Sequence, residues 1–485
     1  MTVPRSVLAE HCTARGRRGV VVAAAPVAAS VGADVLRSGG SAYDAVVAAG
    51  LAETVLLPPK CGLAGDLVAL RVVPGADRPE ALLAIGAAPA ALAAAVRSRG
   101  ALPDTGPLSV GVPGAPAGYA ALAASATLPL ASLAAPAVDL ARDGFPWSPI
   151  CATLTEEARS LLQLHNPGGT RYLPGGRPAA PGALVSLPGL ATVLLELVER
   201  GAALFTGGLG EVVVARVQSA GGVLTTEDLA LPPARWQPAA HREVGGWDVW
   251  ATPAPTHGPA LLDAIERLQD RSGRAALDAV VGVADDHARL LADPLAPGGT
   301  SLVGAADATG TVVLLMHSNS YPRYGSGLVV DDLQLVLSNR AGRGFAADPG
   351  HPNHPATGRR PATTLHLWAT GAAGDGPAFL GGTPGGANQM PWNAQVLHQL
   401  LAGERHPGRL VTAPRWEWDG PAATLTVEDG VAVDAVVSGT EREIAVIHRP
   451  ALSLRSVQQV LCRPRPDAAI VGAADPRTGA LAVPI

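Results

Sequence analysis

The stretch from Asp293 to Gly327, DPLAPGGTSLVGAADATGTVVLLMHSNSYPRYGSG, sets a threonine where its hydroxyl can become a nucleophile. Thr300 follows Gly298-Gly299 and opens an apolar run over 301–306. The turn signal Asp307-Ala308-Thr309-Gly310 leads into a second apolar run, Thr311 to His317. Chain scission before Thr300 would give that residue a free amine beside its hydroxyl, which makes a base beside a nucleophile. The same residues also read as an ordinary buried hairpin, because β-branched residues are common in strands. On this stretch alone both readings stand.

The elements around the hairpin follow from pattern and punctuation. Gly19 to Ala25 reads as a buried strand; Val27 to Leu36 and Ala42 to Val55 read as helices parted by a Ser38-Gly39-Gly40 stop. Leu57 to Asp66, LPPKCGLAGD, is a turn-rich loop before a strand at Leu67 to Val73 and another at Ala81 to Ile85. Ser109 to Ala117 reads as a strand entering a Pro/Gly turn, and Val244 to Ala251 as a single strand. Helices are expected at Gly258 to Leu268, Ala275 to Leu291 and Pro391 to Leu401. Strand pairs are expected at 301–306 with 311–317, at Ala423 to Val427 with Val431 to Val437, and at Ala468 to Gly472 with Ala480 to Val483. A mostly helical first part and a strand-rich second part point to helices packed outside stacked sheets.

Composition bounds the chemistry. The chain has 485 residues, 48% hydrophobic and 16% charged, which supplies a large core and excludes disorder. A net charge of −5 without runs of like charge leaves no footprint for nucleic acid or a membrane surface. Lys60 is the sole lysine. Cys12, Cys61, Cys151 and Cys462 are far apart in sequence, with neither CxxC nor zinc spacing, so reduced thiols in the cytoplasm are expected. There is no HExxH, and His351 and His354 sit among prolines, so no metal and no organic cofactor is expected. Arg15, Arg17 and Arg18 before an apolar stretch mimic a secretory signal. Pro26 and the later charges Asp34, Arg37 and Asp44 favour an amphipathic helix there instead.

Several motifs coincide, in order, with one family. PVAASVGADVLRSGGSAYDAVVAAGLAETVL, GVPGAPAGY, AAPAVDLARDGFPWS and VQSAGGVLTTEDLA resemble the first half of γ-glutamyltranspeptidases. GTSLVGAADATGTVV, YGSGLVV, GRRPATTL, GGTPGG and TAPRW resemble the second half. The resemblance implies an α/β (α+β) fold, a four-layer αββα sandwich of the N-terminal-nucleophile hydrolase type. It implies a precursor that cuts itself between Gly299 and Thr300, giving a large-subunit segment (1–299) and a small-subunit segment (300–485) within one intertwined domain.

The resemblance also assigns residues. Thr300 is the nucleophile, and Ser318 is the hydroxyl that supports it. Gly385 and Gly386 in TPGGA match the oxyanion-hole glycines, and Thr363 and Thr364 match the paired hydroxyls that hold a substrate carboxylate. Two departures stand out. The family's arginine for the glutamyl carboxylate should fall near Ala94, where none is present. The family's acid for the substrate ammonium should fall near Arg343, so Arg340 and Arg343 offer positive charge instead. Arginine repels an ammonium and attracts carboxylate.

The expected function is a γ-glutamyltranspeptidase-like hydrolase or acyltransferase acting on a small, carboxylate-bearing acyl compound. The branch it resembles includes acylases and enzymes of antibiotic metabolism, some cleaving C–C bonds. Authentic γ-glutamyl transfer or glutathione hydrolysis is the alternative enzyme reading, and an uncut, non-catalytic binding protein the alternative from another class. The expected partners are a small-molecule substrate and the chain's own second fragment, with a higher homo-oligomer of that pair left open.

Overall fold

Alternation along the hairpin decides what lies on each side of it. The strands run Gly299–Asp307 and Val312–Ser320, and every residue of both is buried. Leu302, Leu314 and Met316 face one way, into a core shared with Leu367, Leu380 and Leu461. Val303, Ala305, Val313 and Leu315 face the other way, into a core shared with Ala45, Val46 and Ala49. Both faces are therefore apolar, as a strand sandwiched between two layers requires. Asp307 pins the turn: its carboxylate accepts from Thr309 N (2.9 Å) and from Ala42 N (2.8 Å) at the head of the next helix.

The computed structural model describes residues 4–230, 232–270, 275–288, 299–463 and 468–485. Two antiparallel sheets of seven strands stack face to face. The first runs Leu481–Pro484, Gly19–Ala23, Gly299–Asp307, Val312–Ser320, Asp66–Val72, Glu80–Ala84, Trp236–Pro238. The second runs Thr13–Gly16, Ile470–Ala474, Gln459–Cys462, Phe379–Gly382, Trp368–Ala372, Trp247–Ala251, Ala240–Val244. Each sheet takes strands from both sides of the Gly299-Thr300 bond.

Helices cover the outer faces. Ala42–Leu56 lies on the first sheet and is buried along its whole length, which suits a helix that is apolar all round. Its start is fixed by a capping box between Ser41 and Asp44. Gly258–Gln269, Ala276–Ala288 and Gln389–Leu401 cover the second sheet. The architecture is the expected αββα sandwich. Among the described residues no helix is long and apolar enough to cross a membrane.

Four local expectations are corrected. Val244 to Ala251 is not one strand but the end of a hairpin, Ala240–Val244 with Trp247–Ala251, turned by Gly245 and Gly246 at φ 58° and 79°. Val433–Val437 is a short helix; Thr424–Glu428 pairs instead with Trp416–Asp419 and, in parallel, with Ala445–Arg449. Ile470–Ala474 and Leu481–Pro484 enter opposite sheets rather than pairing with each other. Ser109 to Ala117 is no strand: a short turn, Pro107–Ser109, leads through extended chain to a helix at Ala115–Ala123. Its neighbour Gly86 gives its N–H to Asp66 Oδ1 (3.2 Å), not to a ladder. The expected helix end at 289–291 lies outside the described residues.

Candidate functional site

The ladder of the central hairpin breaks at the candidate nucleophile. Gly299 pairs with Ser320 and Thr300 with Ser318, so Asn319 is the extra residue of a bulge. Asn319 turns its N–H to Lys60 O (2.9 Å), and Ser320 takes a left-handed φ of 70°, a conformation that costs a non-glycine residue about 1–2 kcal/mol. Gly299 must be glycine for a different reason: a Cβ there would lie 2.3 Å from Ser320 O.

Thr300 and Ser318 are 2% and 0% exposed, and their hydroxyl oxygens are 3.0 Å apart. Ser318 Oγ also accepts from Ser320 N–H (2.9 Å) and donates to the Gly299 carbonyl (2.5 Å). A hydroxyl has one proton to give. Ser318 gives it to Gly299 O, so Thr300 is the donor in the Thr300–Ser318 bond. The Ser318 hydroxyl can therefore receive a proton from Thr300 while supplying one to the carbonyl that Thr300 would attack.

Strand alternation extends this row of side chains. Asp66 stands opposite Ser318 across the Asp66–Val72 strand pairing and faces the same inter-sheet side. It is paired with Arg340, whose Nε donates to Asp66 Oδ2 (2.5 Å). Burial pushes the Asp66 carboxyl up from its ordinary value, and the Arg340 guanidinium pulls against that push. The Arg340 side chain is 7% exposed, and neither terminal nitrogen has a protein acceptor among the described residues. Arg343 is elsewhere: its Nη1 meets the exposed Asp104 (3.1 Å), and its guanidinium lies 5.8 Å from the Tyr321 ring centre.

Gly385 and Gly386 follow the strand Phe379–Gly382, whose last residue packs over Leu302 of the nucleophile strand. Gln459 Nε2 donates to Leu302 O (2.7 Å) and ties the two sheets together at this level. Gly385 has a φ of 158°, and a Cβ there would meet the Trp392 ring at 2.5 Å, so close approach demands glycine. Gly386 sits at φ 60°. Gln389 joins this loop to Thr364. The orientation that satisfies both ends of its amide has Nε2 donating to Thr364 O (3.1 Å) and Oε1 accepting from Gly386 N–H (3.2 Å). Behind Thr364, His366 Nδ1 bonds Thr364 O (2.8 Å) and Nε2 meets Asn393 (2.8 Å); burial pushes this imidazole down to about 4, so it is neutral. Thr363 Oγ1 accepts from Leu365 N–H (3.2 Å).

Behind the hairpin, on the helix side, Glu53, Cys61 and His317 place ligand-type atoms within 4.8 Å of one another. These atoms are already engaged. His317 bonds Glu53 Oε2 (3.1 Å) and Tyr119 OH (2.9 Å), and Glu53 Oε1 accepts from Ala24 and Ala25 N–H (2.9 and 3.0 Å). Burial and the Glu53 charge push the Cys61 thiol well up, which keeps it protonated. The set fits a hydrogen-bonded core cluster better than a metal centre.

The family's sequence profile, described as γ-glutamyltranspeptidase, matches residues 28–278 and 272–485. The chain belongs to the γ-glutamyltranspeptidase family. Within it the chain is 28% identical to the oxamate amidohydrolase proenzyme of Klebsiella pneumoniae over 97% of its own length and 99% of the relative's. It is 25% identical to the glutathione hydrolase proenzyme of Escherichia coli over 96% and 91%. The crystal structure of cephalosporin acylase from Bacillus halodurans superposes with a TM-score of 0.84 at 26% identity, covering 98% of this chain and 97% of that one. A γ-glutamyltranspeptidase-family chain with this fold is an N-terminal-nucleophile enzyme, a hydrolase or acyltransferase.

Sequence reasoning singled out Thr300, Ser318, Arg340, Gly385, Gly386 and Thr364 and left out two residues bonded to this set, Asp66 and Gln389. Asp66 was the last residue of a turn-rich loop, and its ion pair spans 274 residues. Gln389 fell just outside the helix expected from Pro391. The vacancy near Ala94 also reads differently, because Ala94 is exposed on the helix Leu92–Arg99. The segment beside the Asp66–Arg340 pair is Gly86, through its N–H to Asp66.

Proposed function

We infer that Thr300 is the nucleophile of an autoprocessed hydrolase or acyltransferase acting on a small acyl compound that bears a carboxylate. The observation that carries this reading is the Ser318 hydroxyl, bonded at once to Thr300 Oγ1 and to Gly299 O. In the precursor Thr300 Oγ1 attacks the Gly299 carbonyl carbon, and its proton passes toward Ser318. Ser318 donates to the developing oxyanion, the amide nitrogen leaves protonated, and water releases the ester. The freed Thr300 amine, with a pKa of about 8, then serves as base for the same hydroxyl. Substrate carbonyl oxygen is stabilised by the amides of Gly385 and Gly386.

Arg340 is the residue we assign to the substrate carboxylate, with Thr364 across the site. Its guanidinium is buried beside the nucleophile row, and its two terminal nitrogens have no acceptor among the described residues. Arg343 is turned to Asp104 and is not assigned this role. The relatives named as an amidohydrolase and as acylases favour C–N acyl cleavage over C–C cleavage. Several relatives are named glutathione hydrolases, so γ-glutamyl turnover is the competing activity. A role in antibiotic metabolism rests on the resemblance alone.

The test is a denaturing gel with terminal sequencing of the purified protein. Two fragments meeting at 299/300, lost in Thr300→Ala, are expected; an intact wild-type chain would overturn the reading. Release from γ-glutamyl p-nitroanilide, compared with a carboxylate-bearing acyl anilide that lacks the ammonium, then separates the substrate classes, since faster turnover of the γ-glutamyl compound would favour the competing activity.

A further inference from the structure

The first turn of the helix Gln389–Leu401 touches the glycine loop twice. Trp392 closes the space beside Gly385, and Gln389, fully buried, places its side-chain carbonyl on the Gly386 N–H. An amide proton satisfied by a neighbouring carbonyl is not available to a substrate oxyanion. We propose that Gln389 is a latch on the oxyanion hole, holding Gly386 N–H in the resting site and yielding it as the tetrahedral oxyanion forms. This rests on the reading of Gly385 and Gly386 as that hole.

The other end of the latch explains how it lets go. Gln389 Nε2 bonds Thr364 O, which already accepts from His366 Nδ1. Of the two bonds to this carbonyl, the one from Gln389 is the longer, 3.1 Å against 2.8 Å, and so the easier to give up. Thr364 is also the residue placed at the substrate carboxylate, so a ligand that moves it disturbs the hold on Gln389. An oxyanion is a stronger acceptor than an amide oxygen, because charged partners make shorter and stronger hydrogen bonds. Displacement is thus favourable in the transition state and unfavourable in the empty site. The latch costs about one neutral hydrogen bond, which corresponds to roughly three- to tenfold in acylation rate.

The experiment uses the cut protein, verified on a gel, and p-nitrophenyl acetate, whose acylation asks only for the nucleophile and the oxyanion hole. Thr300→Ala supplies the blank. Gln389→Ala and Gln389→Met are expected to raise the acylation rate roughly three- to tenfold over wild type. Gln389→Glu, with a stronger acceptor at the same place, is expected to lower it by at least as much. A fall in all three would mean that Gln389 merely supports the loop and would overturn the latch. No change in any, in a protein that still cuts at 299/300 and acylates, would show that Gly386 is not the donor while Thr300 stands. No acylation above the Thr300→Ala blank would remove the nucleophile reading, and the latch with it.

Discussion

Ser318 and Thr300 share a hydrogen bond whose direction is fixed by the other two bonds that Ser318 makes. Removing the Ser318 hydroxyl takes away both the acceptor of the Thr300 proton and the donor to the Gly299 carbonyl. Ser318→Ala is expected to slow self-cleavage by about 100- to 1,000-fold, the usual effect of losing one oxyanion donor. Ser318→Thr keeps the hydroxyl and should cut at near the native rate. A time course of fragment appearance on a gel checks both.

Arg340 and Asp66 form a buried pair, so removing one charge strands the other. Asp66→Ala is expected to destabilise the fold by about 3–5 kcal/mol. Arg340→Gln paired with Asp66→Asn avoids the stranded charge and should fold. That double variant should raise KM for a carboxylate-bearing acyl anilide at least tenfold and leave p-nitrophenyl acetate acylation near the native rate. Arg343→Ala, whose partner Asp104 is exposed, should leave both readouts unchanged.

Gly385 cannot carry a side chain without moving Trp392. Gly385→Ala is expected to cost about 1–3 kcal/mol of stability by overpacking. It should also lower acylation, since the displaced loop carries the two amides we propose for the oxyanion hole. Thermal melts read the first effect and burst kinetics the second.

His366 gives the fold an acid sensitivity. Burial pushes its imidazole down to about 4 from an ordinary 6.5. Between those values the unfolded chain holds more protons than the folded one. Stability therefore falls as pH drops from about 6.5 through about 4, by on the order of 3 kcal/mol from this residue. His257, held down to about 3 by burial, acts in the same direction. Urea titrations from about pH 7.5 to about pH 4 should show this slope, and His366→Gln should flatten part of it.

What could be read from the chain beforehand was whatever is local. The hairpin 299–320 was legible because two apolar runs flank an Asp-to-Gly turn. The strand Ala240–Val244 was missed because three of its residues, His241, Arg242 and Glu243, are exposed and carry no apolar signal. The run Val431 to Val437 misled because an apolar stretch of that length has no clear period; five of its residues coil into a helix. At the site, Thr300 and the glycine pair came from motif order. The Asp66–Arg340 bond did not, since nothing in a lone Asp or a lone Arg names a partner 274 residues away.

The interleaving of the two sheets has one more consequence. In the first sheet, strands Gly299–Asp307 and Val312–Ser320 are clasped between Gly19–Ala23 and Asp66–Val72; in the second, Trp247–Ala251 lies beside Trp368–Ala372. Once the chain is cut before Thr300, the two pieces cannot part without dissolving both sheets. If the chain is cut there, the bond that guided assembly is gone, and the native form can be reached in one direction only. Its persistence is set by the height of the barrier to unfolding and not by an equilibrium with separate fragments.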